Sequence, residues 1–380
     1  MDLELTPEQQ SFRDAVRRFC LEQIPTEYVR ECDREHRAPT EAHDALARTG
    51  WLGIGIPEEY GGSGGGAIEI TILLEILGEA FLDLALWVFR DLTYGARAIL
   101  LHGSEQLKQT LLSKVAAGDT SVCFGLTEPD SGSDASTLTT KAIREGNDYI
   151  ITGQKMFMSG VKVSHFALVA VRTETLSSKH EGISTILVPT DADGFSAEPL
   201  ETLGNWSVGT SVVFLDEVRV PMDNLLGEAG TAWGRLKSYL EYERMCLSAA
   251  RTGAAQAALT QATEYAKTRH QFGQPISKYQ AISHKLADMQ VSVTISRFLV
   301  YRYADRLDRG KATTQDAAIL KLYSGESYKA VADAGLQVLG GYGYTMDYDL
   351  QRHFRESRLG TIGGGTSEIQ RNIIAKTMGL

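Results

Sequence analysis

Glu243 lies in the stretch Tyr239-Leu240-Glu241-Tyr242-Glu243-Arg244-Met245-Cys246-Leu247. On a helix its neighbours three and four residues away are Tyr239, Leu240, Cys246 and Leu247, so the carboxylate turns toward a packed face. Burial penalises the charged form of a carboxyl group and moves its pKa toward the range useful to a general base. The plainer alternative is an ion pair with Arg244 or another cation at a helix edge.

Other stretches carry weaker chemical signals. Thr127-Glu128-Pro129-Asp130-Ser131-Gly132-Ser133-Asp134 forms a polar turn. Its amides and hydroxyls can hold an anion without a cation, although most such turns are only turns. In Gly153-Gln154-Lys155-Met156-Phe157-Met158-Ser159-Gly160 an aromatic ring and a hydroxyl stand two residues apart. On a strand that spacing puts both on one face, where they either meet a flat ring or simply pack. Arg269-His270-Gln271-Phe272-Gly273 reads as a loop between helices with a solvated or ligand-bound arginine. Gln337-Val338-Leu339-Gly340-Gly341-Tyr342-Gly343 is rich in glycine but lacks the Lys-Ser/Thr of a P-loop. No strand precedes it to support a dinucleotide fingerprint. Gly363-Gly364-Gly365 lets backbone approach a ligand closely, and Ser367 with Gln370 fits a capping box that starts a helix.

These residues need a scaffold, and the pattern along the chain changes twice. Residues 1–117 read as helices: Thr6-Pro7 caps an amphipathic run to Glu22, a second helix covers roughly Pro39 to Arg48, and long apolar helices run from Ala67 to Leu101. A loop over Gly53–Gly62 separates them. Residues 118–225 switch to period two, with strands expected at 121–127, 137–144, 148–153, 165–172, 182–188 and 211–220. Glu145-Gly146-Asn147-Asp148 is the turn of a hairpin. Residues 226–380 return to helices near 230–268, 277–309, 313–339 and 366–377. The expected class is α+β, mainly α, with a β domain between two helical layers.

Composition narrows the function. A chain of 380 residues is long for one core. A net charge of −10, with no basic run, argues against nucleic-acid binding. The N-terminus, with Asp2 and Glu4, is unlike a secretory signal, and charges interrupt every apolar stretch before membrane-spanning length. Four separated cysteines and scattered histidines point away from disulfides and zinc and toward a reducing, cytoplasmic compartment. The chain runs only ten residues past Gln370, which argues against an appended domain.

In their order and separation these stretches, with Ile56-Pro57-Glu58-Glu59-Tyr60-Gly61-Gly62, Val218-Arg219-Val220-Pro221 and Gln280, resemble the acyl-CoA dehydrogenase family over essentially the whole chain. The resemblance implies an N-terminal helical domain, a central β domain and a C-terminal four-helix domain, assembled as a homo-oligomer, dimer or tetramer. It implies FAD as cofactor, with Phe124, Leu126, Thr127 and Ser133 contacting it from the turn, Phe157 packing on its isoalloxazine and Ser159 near N5. A neighbouring subunit would bring Arg269, Gln271 and Phe272 to the pyrophosphate and Gln280, Gln337, Gly340 and Gly341 to the adenosine half. Thr366 and Glu368 match residues reaching the cofactor from the last helix. Ser133, Glu241, Arg244 and Arg90 fall at positions expected to face the substrate.

The implied reaction converts an acyl thioester to its 2-enoyl form and passes electrons to an electron-transfer flavoprotein. Most members place the base immediately before the Gly-Thr-Ser of the last loop, a position held here by Gly364. A minority of isovaleryl- and long-chain type carry the glutamate just before an arginine on an earlier helix, and Glu243-Arg244 matches them. The Gly364 N–H remains available as an oxyanion donor.

The stretch Leu203–Ser211 stands where the family usually has a loop with an arginine, and it carries none. Arg90-Asp91 aligns near the deep end of the acyl pocket. It points either to a short or polar acyl group or to an arginine facing solvent, and Asp91 is a second candidate base. Two alternatives keep the fold: oxidation of a carrier-protein-bound acyl or aminoacyl group, and enoyl-thioester reduction. A flavin-binding scaffold without activity is a third reading, and Glu243 argues against it.

Overall fold

Thr6, itself extended, accepts a hydrogen bond from the Gln9 amide, while the Gln9 side chain accepts from the Thr6 N–H. This reciprocal cap, with Pro7 at the first helical position, starts the Pro7–Gln23 helix as expected. The computed structural model describes residues 4–174, 176 and 178–380. These form two compact units.

One unit gathers the chain up to Glu31 with Ala67–Leu86 and Glu243–Leu380. It is helical. Its long elements are the Ala67–Ala80, Gln280–Asp308 and Thr314–Leu339 helices, most of the Ala232–Thr268 helix, and the closing Ser367–Thr377 helix. Every residue from 243 to 255 is buried, so this part of the Ala232–Thr268 helix is enclosed on every side, while Thr260 and Glu264 farther along are exposed. The first amides of the Ala67–Ala80 helix are capped from afar, with Asp308 accepting from Ala67 and Ile68 at 2.7 and 3.2 Å.

The other unit, Cys32–Gly66 and Trp87–Tyr242, holds a seven-stranded sheet. Its strands are β1 (Val122–Gly125), β2 (Lys141–Glu145), β3 (Asp148–Ser159), β4 (Phe166–Arg172), β5 (Ile183–Pro189), β6 (Phe195–Pro199) and β7 (Thr210–Pro221). Their order is β1-β4-β2-β3-β7-β6, and β5 pairs with β4. The expected hairpin joins β2 and β3, with Glu145 opposite Asp148 and Gly146 at φ 62°. Val169, Val171, Ile186, Val188, Val213 and Val220 fill the core with β-branched side chains.

Several local expectations fail. The helices Thr26–Arg34 and Leu350–Ser357 and the strand β6 were not foreseen. The apolar region from Ala67 to Leu101 breaks near Phe81 and winds as a π-helix over Asp91–Arg97. Arg269–Gly273 is not an irregular loop: β8 (His270–Gln271) and β9 (Gln274–Pro275) form a hairpin, with Phe272 and Gly273 at φ 50° and 84°. The last helix is capped by Thr366, whose Oγ1 accepts from the Ile369 amide. Ser367 is not the cap, and Gln370 turns back onto the glycine loop instead. Among the described residues no helix is long and apolar enough to cross a membrane.

Candidate active site

Helical spacing turns Glu243 inward as expected: it is buried, as are Tyr239, Cys246 and Leu247. The loop before the last helix meets it. Gly364 adopts φ +69°, and an ideal Cβ built there would lie 3.4 Å from Glu243 Oε1 and 3.2 Å from Leu247 Cδ1. No hydrogen bond among the described residues uses the Gly364 N–H. The loop approaches closely because residue 325 has no side chain: a Cβ on Gly325 would stand 2.3 Å from the Gly360 carbonyl oxygen. Gln370 Nε2 donates to the Gly364 and Gly365 oxygens at 3.2 and 3.0 Å. Arg251 and Lys321, both buried, interact electrostatically with Glu243, and the adjoining Arg244 is buried too. Arg251 and Lys321 went unremarked in the sequence because cations at helix-interior positions read as solvated.

In the same unit, Arg269, Gln271, Gly340 and Gly341 line one cavity of about 580 Å³, with Tyr265 and Tyr342 as aromatic walls. The Arg269 guanidinium lies 5.5 Å from the Tyr342 ring centroid. Phe272 is 93 % exposed at the hairpin tip, while Gln280 and Gln337 are exposed at the first and near-last turns of their helices. Thr366 is half-buried at the cap and Glu368 is exposed one residue into the last helix.

The sheet unit holds its own set of candidate residues. The 126–134 turn is clamped from beneath by Lys155 of β3, which is fully buried and donates to the Leu126 carbonyl (3.2 Å) and Glu128 Oε1 (2.7 Å). Burial works against the Glu128 charge, but Lys155 and hydrogen bonds from Thr139 and Thr140 hold its carboxyl down at about 2. Burial likewise brings the Lys155 ammonium down to about 8, against the pull of Glu128. The amides of Glu128 and Ser131 bond each other's carbonyls, so these two are not available to an anion. Leu126 and Thr127 are half-buried and Ser133 is exposed. Phe124 stacks on Tyr94 at 4.6 Å and meets Tyr239 edge-on at 6.3 Å.

Phe157 and Ser159 do not sit on a regular strand. Phe157 has φ 58° within a bulge between Lys155 and Met158, which breaks the alternation assumed for them. The bulge turns the Phe157 ring outward, 63 % exposed, while the half-buried Ser159 hydroxyl bonds Thr210 at 3.1 Å.

Two further expectations are corrected. Arg90 does not face solvent: it is buried, packed where a Cβ on Gly160 would meet its guanidinium at 2.6 Å. Asp91 is a structural carboxylate, bonded by His43 Nε2 (3.1 Å), the Ser121 hydroxyl (3.1 Å) and the Val122 amide (3.3 Å). Glu241 is half-buried, 4.0 Å from Lys237. No metal-binding group of acidic, histidine or cysteine side chains occurs among the described residues.

Sequence models of three consecutive domains match the chain: acyl-CoA dehydrogenase N-terminal domain over 6–119, middle domain over 123–218 and C-terminal domain over 230–379. The probable acyl-CoA dehydrogenase YngJ of Bacillus subtilis is 36 % identical over 379 residues, covering 100 % of both chains. The caffeyl-CoA reductase-Etf complex subunit CarC of Acetobacterium woodii is 31 % identical, covering 96 % of each. The butyryl-CoA dehydrogenase structure from Megasphaera elsdenii superposes with a TM-score of 0.96 at 31 % identity, covering 100 % of both chains.

Proposed function

The chain belongs to the acyl-CoA dehydrogenase family, and on that premise we propose which residues carry out its FAD-dependent α,β-dehydrogenation of an acyl-CoA thioester. The supporting observation is the meeting of Glu243 Oε1 with the Gly364 position. Glu243, buried on a helix, takes the α-proton of the thioester. The Gly364 N–H donates to the thioester oxygen as enolate character builds there. FAD, when bound, supplies the hydride-accepting chemistry.

The cavity at Arg269, Gln271, Gly340 and Gly341 suits the pyrophosphate and adenosine of such a cofactor, offering a cation, unhindered backbone and aromatic walls. We assign Phe272, Gln280 and Gln337 to the same task, and all seven residues would reach the cofactor from a neighbouring copy of the chain. In the sheet unit we assign Leu126, Thr127, Ser133, Phe157 and Ser159, with Phe124 behind them, to the flavin end; in the helical unit we assign Thr366 and Glu368 to cofactor contact from the last helix. Arg244, Arg90 and Glu241 remain candidate substrate contacts. A homodimer or homotetramer is supported by the exposed Phe272 and by exposed Val291, Ile295 and Phe298 along one face of the Gln280–Asp308 helix. An electron-transfer flavoprotein is the proposed redox partner and, in the dehydrogenating direction, the electron acceptor; the name of the Acetobacterium relative places that protein in a reductase-Etf complex. Four buried free cysteines fit the reducing cytoplasm.

Anaerobic bleaching of the bound flavin by a panel of short, branched and polar acyl thioesters, on CoA and on carrier protein, tests this reading. Bleaching by a CoA ester in the wild type but not in Glu243→Gln is the expected result. Equal bleaching in both removes Glu243 as base. The same relative favours a second reading, in which the residues work in the reductive direction. Re-oxidation of the reduced flavin by enoyl thioesters, with no bleaching by saturated ones, would establish it.

A further inference from the structure

Lys321, on the Thr314–Leu339 helix, has no solvent exposure, and the reaction as assigned above does not use it. A fully buried lysine is uncommon and calls for a partner. Its Nζ donates a short hydrogen bond to the Gly365 carbonyl. Its Cε lies 3.8 Å from the point where a Gly364 Cβ would stand, the same point that lies 3.4 Å from Glu243 Oε1. The two side chains therefore flank one residue of the loop. Holding that loop does not require a cation, because Gln370 already donates to both its carbonyls and Gly325 packs against its base at Gly360.

We propose that Lys321 is a positioning residue for the proton-abstracting carboxylate, pinning the loop through Gly365 while placing its amine beside Glu243. The inference rests on Glu243 being the base. The charges facing Lys321 are Arg251, Glu243 and Arg244 from the Ala232–Thr268 helix and Glu368 from the last helix. Burial, then Arg251, bring its ammonium down to about 7, against the pull of Glu243. Lys321 thus changes charge in the working range of an enzyme. Below about 7 its ammonium stabilises the Glu243 carboxylate and weakens it as a base. Above that pH the neutral amine withdraws this stabilisation, and the proton affinity of Glu243 rises.

The test uses the holoenzyme with Lys321→Met and Lys321→Arg. Infrared titration of the resting protein, with Glu243→Gln assigning the Glu243 carboxyl band, is read beside the pH profile of thioester bleaching. The wild-type bleaching rate should rise through about 7. Lys321→Arg, always charged, should lose the rise and stay on the slow limb. Lys321→Met should lose the rise too and increase the proton affinity of Glu243 about tenfold, which corresponds to one pKa unit. A rise that persists in both variants, or a Glu243 band that titrates alike in all three proteins, overturns the proposal. If Lys321→Met does not fold, Lys321→Arg decides alone, since it keeps charge and donors. Failure of the base assignment shows separately, as wild-type bleaching by Glu243→Gln.

Discussion

The carboxylate of Glu243 and the backbone of Gly364 share one place: a Cβ on Gly364 would touch Glu243 Oε1 at 3.4 Å. A carboxylate carried by the helix and one carried by the loop would reach the same volume. The glycine at 364 is therefore the complement of the glutamate at 243, since two side chains there would crowd each other and bring two like charges together.

Glu243→Gln keeps the volume and removes the proton acceptor. We expect it to retain flavin and fold, and to bleach more slowly by roughly 10²–10⁴-fold, the usual scale of general-base catalysis. Stopped-flow bleaching with the preferred thioester gives the ratio. A loss below about tenfold would count against the assignment.

Exchanging the two residues tests their equivalence. Glu243→Gly combined with Gly364→Glu should recover part of the activity lost by Glu243→Gly alone. Recovery should be incomplete, because φ +69° at residue 364 costs a non-glycine residue about 1–2 kcal/mol. No gain over the single variant in bleaching rate would show that the two positions are not interchangeable.

Asp91→Ala should act on stability rather than chemistry. It leaves His43, the Ser121 hydroxyl and the Val122 amide without their shared acceptor, each costing about 1–3 kcal/mol in a buried setting. Denaturant unfolding should show the loss, while the bleaching rate per folded molecule stays within a few-fold of wild type. A selective loss of bleaching with unchanged stability would return Asp91 to candidacy as the base.

Glu128 gives the molecule an acid limit. Its carboxyl sits at about 2 in the folded protein against an ordinary 4.5. Its contribution is therefore complete above about 4.5 and drains away as the pH falls toward 2. Unfolding free energies measured between pH 5 and 2.5 should fall in the wild type and fall less steeply in Glu128→Gln. Parallel curves would show that the pair with Lys155 does not set the acid limit.

Arg269→Ala should weaken FAD binding about tenfold or more, since hydrogen bonds to charged groups contribute about 1.5–3 kcal/mol. Titration of the flavin-free protein with FAD, followed by fluorescence, measures it. Unchanged affinity would detach this cavity from the cofactor.

The sequence alone carried much of this. Helical spacing sufficed to bury Glu243, because three- and four-residue neighbours are set by helix geometry and need no tertiary information. Thr6-Pro7 and Gly146-Asn147 act on their nearest neighbours, so the first cap and the β2–β3 hairpin were legible too. The order of motifs along the chain was enough to identify the family. The Thr26–Arg34 helix was not foreseen, although the apolar residues Val29 and Cys32, three apart and both buried, carry a weak helical signal. By contrast β6, exposed along almost its whole length, carries no apolar alternation to find.

What only the tertiary structure decided lies where partners come from distant segments. A lysine in a helix looks solvated until the glycine loop arrives to accept its hydrogen bond, as happens to Lys321. Arg90 became buried because Gly160 leaves space for a guanidinium, and Asp91 became structural because His43 and Ser121 converge on it. The bulge at Phe157 is set by its pairing with β7, and pairing is a property of two strands rather than one. Period and spacing describe what a segment does to itself. The cations around Glu243 and the closeness of Gly364 depend on packing between segments far apart in the chain, and no local pattern encodes that.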